Sequence, residues 1–539
     1  MTISIRNGVL ALALGAALAG PAGAGDNGAA QEIGARNVIL MIADGIGFNG
    51  WLASDYYQGR AGRQPYQLAR PDGTAPVIFG QTHWALSLVD AAGTILPNGT
   101  DAAEAAGVIA QGYDPARRWM SFENTFRNDF APFGMPYTSY TDSAAAGTAL
   151  HSGVKTSNAG VNMDWTGTIP FRTIAEIAMD QGRAAGTVTS VPASHATPAS
   201  ALAHNVSRND YAGIFNEMLG SGLSVIMGAG HPFYDDSGNA VEPAEDDARA
   251  FRFLGGRETV LALRGNEGAH GFTFIDDRDA FAALADGRDL PRRVVGIARA
   301  HNTLQASRTG RAEADTPSGM AFNPDVPDLA TMSLGALNVL NQNPNGFFVM
   351  IEGGAVDWMG HANNMPRFIE EQMDFDAAVA AVIDWVEAHS DWRETLLIVT
   401  SDHETGGIWG EGTFTNGTGG PVAADRSDAA IAAARFNPAE DVFNEFLAVQ
   451  DRGAGAIPGH QWASGNHTNE LVPLWALGAG SDLFAQFAVS DHGAARLWGQ
   501  PYGWDGSIID NTSVFHVMNR VFADGLTPAG GCACAPSEP

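Results

Sequence analysis

Cysteine and lysine are nearly missing from this chain of 539 residues: it has two cysteines and, among 30 basic residues, a single lysine, Lys155. Two cysteines are too few for a disulfide-stabilised scaffold. Cys532 and Cys534 are separated by one residue, a spacing that strains a disulfide, and two thiolates alone do not complete a zinc site. The fold must therefore depend on its core or on bound metal.

Positive charge is also scarce, with 30 basic residues against 60 acidic ones and a net charge of −30. No basic run is present, whereas a nucleic-acid-binding protein needs a basic face that displaces counterions from phosphates. Specific nucleic-acid binding is therefore not expected. With 45% apolar and 17% charged residues, the composition favours a large folded core over disorder.

The N-terminal segment has the features of a secretory signal. Arg6 supplies a positive start, Val9–Gly20 is a short apolar run, and Ala22-Gly23-Ala24 matches a signal-peptidase cleavage pattern. As a helix the apolar run would span about 18 Å, less than the roughly 30 Å core of a bilayer. We predict that residues 1–24 are a signal peptide. The mature protein should then be periplasmic or secreted, with no membrane attachment.

Short apolar runs rich in β-branched residues predict buried strands. These runs are Asn37–Ala43, Gly186–Ser190, Ser224–Met227, Gly346–Ile351, Thr395–Thr400 and Leu471–Leu477. Helical periodicity lies between them, at Phe171–Met179 and Phe368–His389. The alternation predicts an α/β fold, a three-layer α/β/α sandwich around a large, mostly parallel sheet. We interpret residues 25–539 as one catalytic domain with surface insertions near 231–330 and 405–466.

A Gly-rich segment after the first strand matches the dinucleotide-binding pattern G-x-G-x-x-G, at Gly45–Gly50. Its context argues against that function, because Asp44 at the strand end would face a pyrophosphate with negative charge. The region about 20 residues further on is polar and contains no strand that ends in an acid. An acid followed by a tight glycine turn is more typical of a metal ligand.

Acids and histidines follow several predicted strands, at the sheet edge where α/β proteins bind ligands. The carboxylates in these positions are Asp44, Glu352 and Asp402, the last followed by His403. Asp357 and His361 are four residues apart and would share one face of a helix. His467 precedes the final predicted strand. Mixed carboxylate and imidazole ligands favour zinc, and sets made only of oxygen favour magnesium.

The candidate nucleophile is Ser143, which follows Asp142 and precedes a run of small residues suited to a helix start facing an anion. No G-x-S-x-G elbow surrounds it, so a Ser-His-Asp hydrolase is disfavoured. A metal-bound serine needs no histidine base, because the ion itself lowers the hydroxyl pKa. Ser490-Asp491-His492 repeats the letters of Ser401-Asp402-His403, but its preceding run is less strand-like. We therefore favour the earlier triplet.

Together these motifs resemble the alkaline phosphatase family, and they occur in family order between about residues 36 and 520. The motifs are Asp44-Gly45, Asp142-Ser143-Ala144-Ala145-Ala146-Gly147-Thr148, Gly153-Val154-Lys155-Thr156, His195-Ala196-Thr197-Pro198 with Arg208, Glu352-Gly353-Gly354 with Asp357 and His361, Thr400-Ser401-Asp402-His403-Glu404-Thr405-Gly406-Gly407, and His467-Thr468. The resemblance implies a phosphate-monoester hydrolase, and also a homodimer.

The resemblance also implies a cofactor set of two Zn²⁺ and one Mg²⁺. The first zinc would be held by Asp357, His361 and His467. The second would be held by Asp44, Asp402 and His403, with Ser143 on its substrate side. The magnesium would be held by Asp44, Thr197 and Glu352. The implied mechanism is a double in-line displacement through a phosphoserine, with Arg208 clamping two phosphate oxygens in a bidentate fork.

Two positions next to these ligands differ among subfamilies. His195 and Trp358 resemble the marine vibrio enzymes more than the enterobacterial type, which has Asp and Lys. A histidine beside the third metal leaves zinc open there as well as magnesium. Trp358 has no positive charge to offer phosphate. Its side chain could either pack in the fold or contact phosphate through a water molecule. Tyr140 replaces the Ile or Val that usually precedes the nucleophile motif, a change expected to alter packing only.

Three alternatives to the monoesterase fit the sequence less well. A sulfatase needs a Cys/Ser-x-Pro-x-Arg motif, and alanines follow Ser143 instead. A phosphodiesterase of the same superfamily usually lacks the clamping arginine that Arg208 would provide. A non-catalytic acidic metal-binding exported protein would carry scattered acids, rather than acids at strand ends beside a nucleophile.

We expect p-nitrophenyl phosphate to be hydrolysed in preference to bis(p-nitrophenyl) phosphate at alkaline pH, because Arg208 suits a dianionic monoester. The measurement is kcat/KM for both substrates, with metal analysis of the same sample. A preference for the diester would contradict the monoesterase reading.

Overall fold

The structure is a computed structural model. It describes residues 34–96, 100, 102–110, 140–265, 269–310, 312–411, 436–437, 442–443, 447–462, 465–498 and 501–524. The predicted signal peptide 1–24, together with Cys532 and Cys534, lies outside the described residues, and the predicted insertion 405–466 is described only in part. No helix of the described ranges is both long and apolar enough to cross a membrane.

Strands occur along the whole described chain. They are β1 (Asn37–Ala43), β2 (Val77–Thr82), β3 (Ser87–Val89), β4 (Gly107–Ile109), β5 (Ala184–Pro192), β6 (Val225–Ala229), β7 (Thr273–Ile275), β8 (Val294–Ile297), β9 (Phe347–Gly353), β10 (Thr395–Thr400), β11 (Glu404–Thr405), β12 (Ile408–Trp409), β13 (Phe436–Asn437), β14 (Val442–Phe443), β15 (Gln461–Trp462), β16 (His467–Thr468), β17 (Val472–Gly478), β18 (Val489–Ser490) and β19 (Ser507–Asp510).

Eleven of these strands form one sheet in the order β18-β19-β2-β17-β10-β1-β9-β5-β6-β8-β7. The seven strands from β10 to β7 are all parallel to their neighbours. β17 runs antiparallel to both β10 and β2, and β18 is antiparallel to β19. The predicted mostly parallel sheet is therefore confirmed, with antiparallel pairing confined to one side.

Twelve α-helices of the described residues accompany the sheet. They are α1 (Phe48–Gln58), α2 (Ser143–Ser152), α3 (Ile174–Asp180), α4 (Ala196–Ser200), α5 (Tyr211–Gly220), α6 (Arg257–Arg264), α7 (Arg278–Ala285), α8 (Leu329–Leu340), α9 (Ala355–His361), α10 (Met365–His389), α11 (His492–Trp498) and α12 (Thr512–Asp524). Short 3₁₀ helices include Arg252–Leu254 and Ser481–Phe487.

The helices cover both faces of the sheet, because successive side chains of a strand point to opposite sides. Val38, Leu40 and Ile42 of β1 pack in a core with α2, α3, α5, α6 and α12. Ile39 and Met41 of the same strand pack in a second core with α1, α7, α8 and α10. Every residue of β1 is buried. A strand whose two faces both pack against helices has a continuous run of apolar residues, which is the pattern seen in the sequence.

The six predicted strands are confirmed, with small differences at their ends. The sequence did not reveal β2, β7, β8 and β19, which are short or carry Gly and polar residues. β7 and β8 arise from the segment 231–330, and they extend the main sheet at one edge. The division of the chain into one domain with insertions stays a prediction.

The only lysine of the chain joins two distant segments. Lys155 Nζ lies 3.0 Å from Asp510 Oδ2 and donates to Asn511 Oδ1 at 2.5 Å, with the Trp84 ring centroid 4.5 Å away. Burial lowers the lysine pKa, and the charge of Asp510 opposes that shift. Lys155 therefore attaches the loop after α2 to the end of β19.

A buried pair of acids joins α1 to α10. Gln64 Nε2 donates to Asp55 at 2.8 Å and to Asp376 at 3.2 Å, and Tyr502 also donates to Asp55. Burial raises the pKa of Asp55 from 3.8 to about 8, with a contribution from the charge of Asp376. Burial raises the pKa of Asp376 to about 6.

These raised values predict that stability falls as pH rises. The folded chain holds the Asp55 proton more tightly than an unfolded chain with a pKa of 3.8, so stability is lost between that value and about 8. We expect Asp55→Asn to reduce the difference in Tm between about pH 5 and about pH 9. The exposed Asp72→Asn is the control and should leave that difference unchanged. An unaltered difference in Asp55→Asn would contradict the assignment.

Candidate metal and phosphate site

The candidate site lies at the carboxyl ends of the central strands. Asp44 directly follows β1, Glu352 is the penultimate residue of β9, and Asp402 and His403 follow β10. Because β10, β1 and β9 are adjacent and parallel, the residues after them meet at one edge of the sheet. All four side chains are fully buried.

A glycine turn brings two of these loops into contact with the helix α9. Gly45 has a φ of +74°, and a Cβ at this position would lie 2.7 Å from Cα of Asp357. Its backbone N–H donates to Oδ1 of Asp402 at 3.2 Å. The turn needs glycine both for its left-handed backbone and for this close approach. Gly45, which resembled the start of a nucleotide-binding motif, therefore allows Asp357 and Asp402 to approach the end of β1.

The first group of ligand candidates is centred on Asp357. Nε2 of His361 lies 3.5 Å from Oδ1 of Asp357, as expected for residues four apart on α9, and Nε2 of His467 lies 3.6 Å from the same oxygen. The two imidazole Nε2 atoms are 3.0 Å apart. The antiparallel pairing of β11 with β16 places His467 opposite Thr405 and so brings it to the loop after β10.

The second group is centred on His403. Its Nε2 lies 3.5 Å from Oδ1 of Asp44 and 3.4 Å from Oδ2 of Asp402. Ligand atoms of these three residues lie within 4.8 Å of one another, and the same holds for Asp357, His403 and His467. His403 therefore lies close to both groups, and the two candidate ion positions are neighbours.

The third group consists of oxygen ligands. Thr197, in α4, donates to Oδ2 of Asp44 at 3.3 Å. Glu352 accepts a short hydrogen bond from Thr189 of β5, a residue that the sequence analysis did not single out. β5 is the neighbour of β9, with Thr189 opposite Glu352, so the sheet register places the hydroxyl beside the carboxylate.

These side chains leave buried oxygens without hydrogen-bond donors. Oδ1 of Asp44, Oε1 of Glu352 and Oδ2 of Asp402 are buried and have no donor among the described residues. Unpaired buried carboxylate oxygens are costly, so they are normally paired or bind a metal. The chemistry of the three groups therefore fits divalent cations, with imidazole in two groups and oxygen alone in the third.

Burial and mutual repulsion shift the pKa values of the acids. Burial raises the pKa of Asp44 well above its ordinary value, and the charges of Asp402, Asp357 and Glu352 raise it further. Burial likewise raises the pKa of Asp402 and that of Glu352 to about 7. Burial would also raise the pKa of Asp357, but the neighbouring His361 and His467 outweigh it and lower the value. Without a cation these acids oppose one another's ionisation.

The imidazoles are shifted in the direction that favours metal binding. Burial lowers the pKa of His403 well below its ordinary value and that of His467 to about 4. Nδ1 of His467 lies 2.8 Å from the carbonyl oxygen of Thr141, and Nδ1 of His361 lies 2.9 Å from that of Gly465. A carbonyl accepts from Nδ1–H, which leaves Nε2 as the free ligand atom.

Ser143 is the first residue of α2 and points into this cluster. Asp142 is the N-cap of the helix and accepts a hydrogen bond from the backbone N–H of Ala145 at 2.9 Å, a contact worth about 1 kcal/mol. The Ser143 hydroxyl lies 3.2 Å from Nε2 of His403. The serine is nearly fully buried, and its oxygen is therefore adjacent to the second group.

Arg208 lies opposite the start of α2. Its Nη1 donates to Oδ2 of Asp142 at 3.0 Å, so the cap residue also orients the guanidinium. Burial would lower the pKa of Arg208, but Asp142, and more weakly Asp44 and Tyr211, raise it. The arginine therefore stays charged beside the carboxylates and retains donors for an anion.

The comparisons with known proteins agree with this geometry. A family model described as alkaline phosphatase matches residues 136–491, which is more than half of the chain. The chain belongs to the alkaline phosphatase family. Members of this family are metal-dependent phosphomonoesterases, and the chain is such an enzyme.

Bacterial relatives match most of this chain and most of their own length. The chain is 30% identical over 392 residues to the alkaline phosphatase of Escherichia fergusonii, covering 68% of this chain and 70% of that protein. It is 27% identical over 389 residues to alkaline phosphatase 3 of Bacillus subtilis, covering 65% of this chain and 74% of that protein.

Solved structures of the family share the fold. The alkaline phosphatase of Thermus thermophilus has a TM-score of 0.55 at 20% identity, covering 92% of this chain and 94% of that one. The enzyme from the Antarctic bacterium TAB5 has a TM-score of 0.51 at 22% identity, covering 91% of this chain and 98% of that one. A TAB5 mutant, His 135 Glu, is described with Mg bound in the M3 site.

The two variable positions lie side by side next to the third group. The rings of His195 and Trp358 pack edge to face, with centroids 5.5 Å apart. Burial lowers the pKa of His195 to about 3, with Arg208 contributing, so the ring is neutral. Trp358 also packs against Val191 and Ala306, which supports a packing role.

Two further residues escaped the sequence analysis. Thr405 donates to Oδ1 of Asp357 at 2.6 Å, and Thr189 donates to Glu352. Both hydroxyls orient a candidate ligand. Thr405 lies inside the Glu404-Thr405-Gly406-Gly407 motif and could have been found there, whereas a threonine in a strand carries no local signal.

The second Ser-Asp-His triplet has a different function in the structure. Oδ1 of Asp491 accepts from the backbone N–H of Ala494 in the first turn of α11, and His492 is exposed. Asp491 therefore acts as a helix cap. The preference for the earlier triplet agrees with the placement of Asp402 and His403 in the candidate site.

The two triplets provide a matched pair of variants. We expect Asp402→Asn to lower metal content and to reduce kcat/KM at least about 100-fold, because an amide replaces a buried anionic ligand. Asp491→Asn should retain both, since Asn caps helices as well as Asp does. Elemental analysis and phosphatase assays measure the two effects. Equal effects in both variants would contradict the assignment.

Proposed function

We propose that the enzyme hydrolyses small phosphate monoesters in two displacements, through a phosphoserine on Ser143. The observation that carries the proposal is the position of the Ser143 hydroxyl. It lies at the N-terminal end of α2, 3.2 Å from Nε2 of His403, and the preceding residue, Asp142, accepts a hydrogen bond from Arg208. A nucleophile, two candidate ligand groups and an anion clamp therefore meet in one pocket.

The proposed cofactor set is two Zn²⁺ and one Mg²⁺ per chain, with zinc as an alternative for the third ion. The first zinc site is Asp357, His361 and His467. The second zinc site is Asp44, Asp402 and His403. The magnesium site is Asp44, Thr197 and Glu352. The unpaired oxygens of Asp44, Asp402 and Glu352 and the free Nε2 atoms support this assignment.

Bound divalent ions would neutralise these acids, lower the pKa of the serine hydroxyl and offset charge on the attacking and leaving oxygens. Ser143 loses its hydroxyl proton and forms its Oγ–phosphorus bond while the bond from phosphorus to the leaving alcohol oxygen breaks, and that oxygen takes up a proton from solvent. A water then loses a proton and attacks phosphorus from the side that the alcohol left, and the Oγ–phosphorus bond breaks. Oγ takes up a proton, which restores the serine, and inorganic phosphate is released.

Arg208 binds and orients the phosphate during both steps. Its planar guanidinium can donate two parallel hydrogen bonds to two phosphate oxygens, which lysine cannot do. The contact to Asp142 holds the side chain in place before substrate arrives. The backbone N–H groups at the start of α2 add positive potential at the same position. Preorganised charge of this kind is the main source of catalysis in phosphoryl transfer.

We also propose the localisation, the oligomeric state and the partners of the enzyme. The signal-like segment 1–24 supports a periplasmic or secreted protein, and family membership supports a homodimer. Small phosphate monoesters are the proposed partners, with no specific nucleic-acid binding, since the chain carries a net charge of −30.

We expect Ser143→Ala to lower kcat for p-nitrophenyl phosphate by about 10³-fold or more, because the covalent route is lost. Its metal content should remain near that of the unmodified enzyme. Acid-quenched turnover followed by mass spectrometry should show phosphate on Ser143 in the unmodified enzyme.

A matched control exists at the other end of the same helix. Ser152 is also buried, and its hydroxyl donates to the carbonyl oxygen of Thr148, away from the metal ligands. Ser152→Ala should therefore keep the phosphoserine. Full activity of Ser143→Ala, or phosphate found on another residue, would refute the nucleophile assignment.

A further inference from the structure

An aromatic wall extends from the phosphate clamp to the protein surface. Tyr211 is the first residue of α5, three positions after Arg208. Its ring stacks on the imidazole of His195, with centroids 6.0 Å apart and an interplanar angle of 13°. His195 in turn packs against Trp358. Tyr211 therefore continues the wall of the site beyond the position proposed for phosphate.

The outer end of this wall carries an arginine that has no carboxylate partner among the residues that the structure describes. Arg252 is exposed, and its guanidinium carbon lies 5.8 Å from the ring centroid of Tyr211 and 4.3 Å from that of Phe253. No hydrogen bond or ion pair to its side chain occurs within the described part of the chain. Arg208, by contrast, is paired with Asp142. The donors of Arg252 are therefore available to a ligand.

The arginine is held in a fixed place relative to the site. Arg252 begins a 3₁₀ helix, and the carbonyl oxygen of the next residue, Phe253, accepts from Oγ of Ser194 at 2.8 Å. Ser194 directly precedes His195 in the chain. The Phe253 ring is buried and packs edge to face on Tyr211, with centroids 5.0 Å apart. These contacts tie the backbone at Arg252 to the loop that leads into α4.

The two arginines are connected through the Tyr211 ring. Arg208 lies three residues before Tyr211 in the chain, and Arg252 lies over the Tyr211 ring, which itself stacks on His195. An arginine stacked on aromatic faces keeps its N–H edge free for planar anions such as carboxylate and phosphate.

We propose that Arg252 and Tyr211 form a leaving-group subsite that binds a second anionic group of the substrate. Preferred substrates are phosphate monoesters whose alcohol carries a carboxylate or another phosphate. Arg208 holds the phosphate that is transferred, and Arg252 holds the second anion further along the wall. This inference rests on the proposed function, because it takes Ser143 and Arg208 as the position of the reacting phosphate.

The test compares three substrates with one core: phenyl phosphate, 4-carboxyphenyl phosphate and hydroquinone bisphosphate. For each enzyme the quantity is the ratio of kcat/KM for the anionic substrate to that for phenyl phosphate. We expect Arg252→Gln to lower this ratio about threefold to fivefold, as for one exposed charge-assisted contact. Added salt should lower the ratio in the unmodified enzyme more than in the variant. Comparing the ratio for 4-carboxyphenyl phosphate with that for hydroquinone bisphosphate shows which anion the subsite favours.

Matched variants separate the subsite from general charge and from folding. Arg249→Gln removes an exposed arginine from the same segment and should leave the ratio unchanged. Tyr211→Phe keeps the ring and should preserve the ratio, whereas Tyr211→Leu removes the ring beneath Arg252 and should lower it.

The outcomes are distinguishable. A ratio that is the same in Arg252→Gln and the unmodified enzyme, or that falls equally in Arg249→Gln, would overturn the subsite while leaving the phosphomonoesterase proposal intact. If the unmodified enzyme hydrolyses none of the three monoesters, the proposed function fails and the subsite with it.

Discussion

Four carboxylates buried in one pocket are the constraint on which the site depends. Asp44, Glu352, Asp357 and Asp402 are nearly or fully inaccessible to solvent, and burial, together with the charges of the other three acids, raises the pKa of Asp44. Several carboxylates buried side by side destabilise the fold unless nearby positive charge neutralises them. Divalent cations would satisfy that need and would also attract phosphate to the same place. The same four buried carboxylates therefore make the site costly to fold without cations and suited to binding phosphate with them.

The sheet gives this cluster its rigidity. β10, β1, β9 and β5 are parallel neighbours whose ends project their following residues to one edge. Apolar cores on both faces fix the strands, so loops as short as Asp44-Gly45 can be held close to Asp357. Ser143 enters from α2 on one side, and α9 brings Asp357 from the end of β9. The net charge of −30 says little about this pocket, since distant surface charges are screened over roughly 8 Å at physiological salt.

Much of the fold and of the site could be predicted from sequence. β1 and β10 were placed to the residue, because strands buried on both faces have continuous apolar runs. The short strands β7 and β8 were missed, since their three and four residues gain their pairing only from neighbours. Thr189 was missed for a similar reason: its relation to Glu352 is a matter of register between β5 and β9. Arg252, at the outer end of the aromatic wall, is likewise not part of any sequence motif.

The sequence by itself determined the fold class and the kinds of ligand. Apolar periodicity and the order of acids, histidines and serine are local properties, readable without contacts. Only the tertiary structure decided the distances, because residues as far apart as Asp44 and His403 come within 3.5 Å through strand pairing. It also decided which Ser-Asp-His triplet caps a helix and which lies in the site. Identical side chains differ in function there because burial and neighbours, rather than residue type, set their charge and their partners.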